Sequence, residues 1–264
     1  MQVIDIDPVI FSLGPLQVRW YGLMYVVGFV VGGQLLRVLA KEKLLRPGVD
    51  KVDSLVSHVL IGMFFGARLA YVFIYNWDYY SNHFSEIFSV WQGGLSFHGA
   101  VAGMALGCLV YAKRHKIHLL QVSDCCVTAG AQGIFFGRMG NFINGELYGR
   151  ITNSKFGVVF KNGGPLPRHP SQLYEGIAEG IILFLVLWFL RKRFTHYGVL
   201  TAIFFGGYAF IRYFIEFFRE PDAQLGYYFG GTTTMGQILC LIQLVIAIGI
   251  YFYSRKVKSP IVLK

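Results

Sequence analysis

Charged residues make up only 14% of this chain, against roughly 25% in a soluble domain. With 55% hydrophobic and 17% aromatic residues, too little charge remains to coat a soluble surface of this size. Cysteine is sparse as well. Cys108, Cys125, Cys126 and Cys240 lie inside apolar runs and form no C-x-x-C, which excludes a disulfide framework. A thiol buried in hydrocarbon is inert, so these four read as small packing residues. There is no G-x-x-x-x-G-K-[ST], no G-x-G-x-x-G after a strand and no H-E-x-x-H, so nucleotide-driven and zinc chemistry lack support. His115 and His118 are three apart but sit in a basic loop without a carboxylate nearby. That is a solvated loop, and no metal or other cofactor is implied. The stretch from Met1 to Arg19 carries Asp5 and Asp7 and no basic region; no cleaved signal peptide is expected, and the first helix should stay.

What is present in quantity is apolar sequence. Runs of spanning length occur at about 18–38, 53–75, 95–112, 121–143, 172–190, 198–218 and 234–253, each close to the ~20 residues a bilayer helix needs. The expected fold is an all-α integral membrane bundle of about seven transmembrane helices, a single domain over 1–264, with six or eight spans as the alternatives. Small residues recur four apart at Gly28/Gly32, Gly62/Gly66, Gly99/Gly103/Gly107, Gly133/Gly137 and Gly176/Gly180, a spacing that lets helix backbones approach in lipid. The stretch 76–92 is rich in Tyr, Trp and Phe and reads as an arm in the membrane interface. Residues 144–171 contain the β-prone Phe156-Gly157-Val158-Val159-Phe160 and a Gly/Pro-rich turn, as expected of a small strand-and-turn head outside the membrane.

The net charge of +10 invites a nucleic-acid reading, but its distribution argues otherwise. One set of alternate loops receives Arg37, Lys41, Lys43, Arg46 and Lys51, then Lys113, Arg114 and Lys116, then Arg191, Lys192 and Arg193, then Arg255, Lys256, Lys258 and Lys264. The other set holds Arg19, Arg150, Lys155, Lys161, Arg168 and Arg219. Fifteen against six puts the N-terminus outside and the C-terminus in the cytoplasm. The basic excess is topology and anionic-lipid contact, and no nucleic-acid partner is expected.

Arg68, Arg138 and Arg212 fall within spans. An ionised side chain at a helix centre is penalised by ~2.5–3.5 kcal/mol on the insertion scale. Three arginines plus Glu216 approach ~10 kcal/mol, comparable with the net stability of a domain. Such groups pair with one another, with water or with a ligand. In the inferred topology His98, Arg138, Arg212, Tyr21, Glu175 and Glu179 all fall toward the outer leaflet. Arg138 lies about 8 Å below the surface at ~1.5 Å per residue, where a planar guanidinium can grip a lipid phosphate. The structural alternative is internal pairing, since Arg212 and Glu216 are four apart on one helix face.

The stretch Gly137-Arg138-Met139-Gly140-Asn141-Phe142-Ile143-Asn144-Gly145-Glu146-Leu147-Tyr148-Gly149 resembles the signature of bacterial prolipoprotein diacylglyceryl transferases, G-R-x-G-N-F-x-N-x-E-x-x-G, at every fixed position. Further similar blocks are Trp20–Tyr25, Gly93–Gly99, His169–Glu175 and Arg212–Asp222. The resemblance implies an enzyme of the bacterial cytoplasmic (inner) membrane that works at the outer leaflet. It would move the diacylglyceryl group of phosphatidylglycerol to the lipobox cysteine of a preprolipoprotein and release glycerol phosphate. It implies Arg138 as the phosphate ligand and Arg212 as a second cation. His98 is the natural base, with an ordinary pKa of ~6.5 near working pH; a helix-start histidine bonded to a carbonyl is the plain alternative. Glu146 and Asn141 orient the arginines or the head group, and Glu216 either aligns Arg212 or is the base. Tyr21 and Tyr208 donate to phosphate or are interfacial aromatics. Asn144 and Arg68 complete the candidate substrate contacts. A transporter, flippase or channel also concentrates charge in a bundle, but the paired broken helices of two matching halves are missing here.

Overall fold

The computed structural model describes residues 2–14, 16–89, 93–220, 227–228 and 231–257. The end of the expected arm (90–92), Pro221 and Asp222 of one similar block, and Lys258 and Lys264 of the charge pattern lie outside the described residues. In chain order the helices are α1 (Trp20–Lys41), α2 (Val52–Ala70), α3 (Trp77–Tyr80), α4 (Phe97–Arg114), α5 (Leu119–Ile143), α6 (Ser171–Glu175), α7 (Leu183–Leu190), α8 (Val199–Ile215) and α9 (Met235–Ser254). The strands are β1 (Gln2–Ile4), β2 (Val9–Leu13), β3 (Leu16–Arg19), β4 (Val158–Phe160), β5 (Tyr227–Tyr228) and β6 (Thr233–Thr234).

Among the described residues, five helical stretches are long and apolar enough to cross a membrane: Trp20–Lys41, Val49–Tyr75, Leu119–Ile143, Ser171–Leu190 and Met235–Ser254. The chain is therefore a multi-pass helical membrane protein. α8 is apolar but spans only 17 residues. Outward-facing side chains match this reading: α9 exposes Leu241, Val245, Ile248 and Phe252, and α2 exposes Ile61, Phe64 and Phe65. Water would penalise apolar patches of that extent, whereas lipid does not.

The chain folds as two compact units, residues 36–123 and residues 1–35 with 124–264. In the first, α2 and α4 pack backbone to backbone. A Cβ on Gly103 would lie 1.9 Å from the Gly62 carbonyl oxygen, and one on Gly66 would lie 2.3 Å from that of Gly99. Only glycine permits this approach. Ser96 caps α4, its hydroxyl accepting from the Gly99 N–H at 3.1 Å, an orphan donor of the first turn. After α2 the chain widens into a π-helical turn, Tyr71–Tyr75, and then α3 and the 3₁₀ turn Phe84–Phe88 form the arm. Trp77, Tyr79, Phe84 and Phe88 are exposed there.

In the second unit, β2 and β3 form a hairpin that leads directly into α1. Sequence reading did not anticipate it, because two short strands beside a spanning run leave no alternation long enough to detect. β4 pairs in parallel with β1, and Lys161 contacts Asp5 at 2.8 Å beside that pair. α8 starts at a left-handed Gly198 whose N–H, with that of Thr201, donates to buried Asp124 of α5 at 2.7 and 2.8 Å. A carboxylate at a helix N-terminus satisfies orphan donors and complements the helix dipole. Below it, Ala131, Leu183, Leu187 and Leu200 form a buried core.

Candidate functional site: a buried arginine–glutamate cluster

The signature stretch closes α5 with a Schellman-type turn. Glu146 N–H donates to the Asn141 carbonyl at 3.1 Å and Gly145 N–H to that of Phe142 at 3.1 Å, with Gly145 at φ 63°. That left-handed position favours glycine. The turn folds Glu146 back over the last helical residues. Its Oε1 accepts from the Asn141 amide at 2.8 Å and the Asn144 amide at 3.2 Å. Arg138 Nη1 lies 3.4 Å from Asn141 Oδ1. The residues Arg138, Asn141, Asn144 and Glu146 thus form one hydrogen-bonded chain.

Two other segments close on it. Gly180 and Gly176 face α5, where a Cβ on Gly180 would lie 2.6 Å from Phe135 N and one on Gly176 would lie 3.3 Å from the Arg138 Cβ. The helix is π-wound over Gly176–Ile182, a geometry common at functional sites. Its approach brings Glu175 Oε2 to 2.7 Å from Arg138 Nη2. The N-terminus of α6 is tied to the signature loop by Gln172 donating to the Glu146 carbonyl at 2.7 Å and Ser171 to that of Leu147 at 3.0 Å.

From α8, Arg212 Nη1 reaches the same Glu175 oxygen at 2.8 Å, and Nη2 reaches Glu216 at 3.0 Å. Glu216 also accepts from the Thr234 hydroxyl at 3.0 Å, and Thr234 is the N-cap of α9. Arg219 Nη1 lies 3.5 Å from the other Glu175 oxygen. Gly149, the last signature glycine, allows that segment in: a Cβ there would lie 2.4 Å from the Phe218 carbonyl oxygen. Glu179, fully buried, has Arg212 as its ion partner at 3.9 Å. The arginine side chains keep 12–19% of their surface exposed while Glu175 keeps 1%. The cations thus retain an open side that the bridging carboxylate lacks. Breaking one partner from such a buried pair costs about 3–5 kcal/mol.

Of the residues singled out in the sequence, Arg138, Asn141, Asn144, Glu146, Arg212 and Glu216 meet here. Tyr21 packs across Gly140, where a Cβ would lie 2.7 Å from its ring, and its hydroxyl is 3.2 Å from that of Tyr25. Tyr208 packs against the core below. Glu175, which the sequence placed with Glu179 toward the outer leaflet without a role, and Arg219, which it left among the loop cations, are central. Their signal lay in blocks already noticed, H-P-S-Q-L-Y-E and F-F-R-E-P.

His98 and Arg68 belong to the unit 36–123. His98 is exposed in the first turn of α4, its Nδ1 3.4 Å from the Tyr75 hydroxyl. Arg68, expected among the substrate contacts, is only 5% exposed. Its guanidinium donates to the carbonyls of Ile87, Gly93, Gly94 and Glu86 at 2.7–3.1 Å and to the Tyr80 hydroxyl at 3.2 Å. The structure commits it to holding the arm. Backbone acceptors leave no trace in a sequence, so this partner set was not foreseeable.

Fold and cluster together define a polytopic membrane protein with a buried arginine–glutamate cluster among its helices. The family model described as prolipoprotein diacylglyceryl transferase matches residues 8–253, and the chain belongs to that family. It is similar to the phosphatidylglycerol–prolipoprotein diacylglyceryl transferase of Nitratidesulfovibrio vulgaris (strain DP4), 47% identical over 89% of this chain and 90% of that protein. It is also similar to those of Oleidesulfovibrio alaskensis, 42% identical over 98% and 97%, and Mannheimia succiniciproducens, 48% identical over 88% and 87%.

Proposed function

We propose that this chain transfers the diacylglyceryl group of phosphatidylglycerol to the lipobox cysteine of a preprolipoprotein, the first step of lipoprotein maturation. Arg138 and Arg212, which meet on one carboxylate oxygen, carry the reading. Two guanidiniums a single oxygen apart suit a phosphodiester, and planar forks bind its oxygens with directed hydrogen bonds. The substrate thiol attacks the glycerol carbon next to the phosphate ester. A carbon–sulfur bond forms, the carbon–oxygen bond breaks, and the electron pair leaves on glycerol phosphate. The thiol proton passes to a base, for which His98 is the candidate, or to the departing phosphate. Preorganised cations stabilise the charge gathering on that leaving group. Asn141, Asn144 and Glu146 hold Arg138 in place, and Glu216 aligns Arg212. Tyr21 and Tyr208 are further donors toward the head group.

In this reading the chain is one domain of seven spans, α4 and α8 being the two beyond the five long ones. It lies in the bacterial cytoplasmic membrane with its N-terminus outside and the cluster at the outer leaflet. The arm 76–92 lies in the interface and the head 144–171 outside. The test is transfer of labelled glyceride from phosphatidylglycerol to a lipobox peptide by the full chain in nanodiscs. A variant with all four cysteines replaced by alanine should transfer as well as wild type, since the nucleophile belongs to the substrate. Absence of transfer by folded wild type rejects the activity. Loss confined to the cysteine-free form would point to a covalent enzyme intermediate.

A further inference from the structure

The anion seat described above is occupied by a side chain of the protein itself. Glu175 Oε2 sits 2.7 Å from Arg138 and 2.8 Å from Arg212, which is where a phosphate oxygen shared by these two guanidinium edges would lie. A phosphodiester resembles a carboxylate in carrying one negative charge over two free oxygens. Both cannot hold the same pair of guanidinium edges at once.

The way Glu175 is held fits a replaceable occupant. Neither of its oxygens makes a well-aligned hydrogen bond, and Arg212 Nη1 is likewise without one. The contacts are close in distance but poor in direction, so they hold largely by charge. Directed hydrogen bonds to a ligand would add what the carboxylate does not supply. Glu179 likewise makes no aligned hydrogen bond, but it lies 3.9 Å from Arg212 and outside the seat, and two neighbouring acids are held differently. Glu216 is anchored by Thr234, and Glu146 by two asparagines. Arg219 Nη1 lies 3.5 Å from the far oxygen of Glu175, a further cation toward which the carboxylate can turn.

We infer that Glu175 is an internal placeholder for the lipid phosphate. It fills the Arg138–Arg212 seat between turnovers, yields to the head group by retreating toward Arg219, and returns to help expel the glycerol phosphate product. It is a positioning residue, and this role rests on the function proposed above. Three arginines left bare in a bilayer would be strongly penalised, and an occupant that never yields would block substrate. A displaceable carboxylate resolves both.

The experiment measures binding of two probes, glycerol phosphate and dihexanoyl phosphatidylglycerol, to the full chain in nanodiscs, alongside transfer kinetics. Glu175→Gln keeps the shape and removes the competing charge. Both probes should bind at least about tenfold more tightly, with KM and kcat of transfer falling together as product release slows. Glu179→Gln removes the same charge from the same cluster without vacating the seat, and should tighten binding less than about threefold. Equal tightening in the two variants would reduce the effect to net charge and overturn the inference. Unchanged or weaker binding in Glu175→Gln would overturn it too. If Glu175→Gln does not fold, Glu175→Asp withdraws the carboxylate from the arginines while keeping its charge; tighter binding is again expected, and no change rejects the placeholder. Wild type that binds glycerol phosphate but transfers nothing would sink the proposed activity and leave the placeholder standing. Normal transfer without tightening would do the reverse.

Discussion

Arg138 uses its two guanidinium arms differently, Nη2 on Glu175 at 2.7 Å and Nη1 toward Asn141 at 3.4 Å. A lysine offers one point charge and cannot serve both directions. Arg138→Lys should therefore lose most transfer although it keeps the charge, by at least about 100-fold, in line with the ~3–5 kcal/mol at stake when a buried partner is removed. Arg138→Ala should abolish it. The check is the labelled-lipid transfer assay with size-exclusion profiles confirming the fold; normal turnover by folded Arg138→Lys would remove the bidentate argument. The residue scale is also where the sequence was most and least legible. Arg138, Asn141 and Glu146 stood out because polar groups at the end of an apolar run need a reason. Glu175 was placed beside them toward the outer leaflet but given no role, because an acid in a first helical turn has an ordinary explanation in the helix dipole. Arg219 looked like any loop cation until the bridge between Gly149 and Arg219 brought it inward.

At the scale of elements, two contacts carry distinct predictions. The α2–α4 interface was foreseen as small-residue spacing, and the structure gives it a partner and a tolerance. A side chain at Gly103 would put its Cβ 1.9 Å from the Gly62 oxygen, so the backbones must part. Gly103→Leu should destabilise by more than the ~1–3 kcal/mol typical of overpacking. Gly130→Ala, with nothing within 4 Å of its Cβ, should be neutral or slightly stabilising. Thermal unfolding in detergent separates the two, and similar melting of both would remove the close-packing argument. The head offers a pH test. His169 is half-buried between Tyr174, whose hydroxyl is 3.2 Å from its Nδ1, and the Phe218 ring. Burial lowers its pKa below the usual value, so the folded head favours neutral imidazole. Its contribution is therefore present above about pH 6.5 and is lost as the pH falls through that value toward the lower folded one. Wild-type Tm should drop between pH 7.5 and 5 more steeply than that of His169→Gln; equal slopes would assign the drop to other groups.

For the molecule as a whole, the apolar runs located the helices to within a few residues, because bilayer thickness constrains them directly. They did not reveal how α1 is entered, since the β2–β3 hairpin precedes it in residues too few to show a pattern. Nor did they reveal that helices brought close by glycine would converge on one carboxylate, which depends on crossings that no linear pattern records. The direction of the chain through the membrane is open to a direct test. The positive-inside rule counts Lys and Arg in short loops, and the two loop sets here differ enough to commit to an answer. Arg191, Lys192 and Arg193 follow α7 directly, whereas Lys155 is one of four basic residues spread over the head. In a cysteine-free background, Lys155→Cys should be labelled by a membrane-impermeant maleimide added to intact spheroplasts, and Arg193→Cys only after lysis. Both positions are exposed, so failure to label would report sidedness rather than burial. The reverse pattern would put the arginine cluster beneath the cytoplasmic leaflet, where no translocated preprolipoprotein presents its cysteine, and the transfer reaction would lose its acceptor.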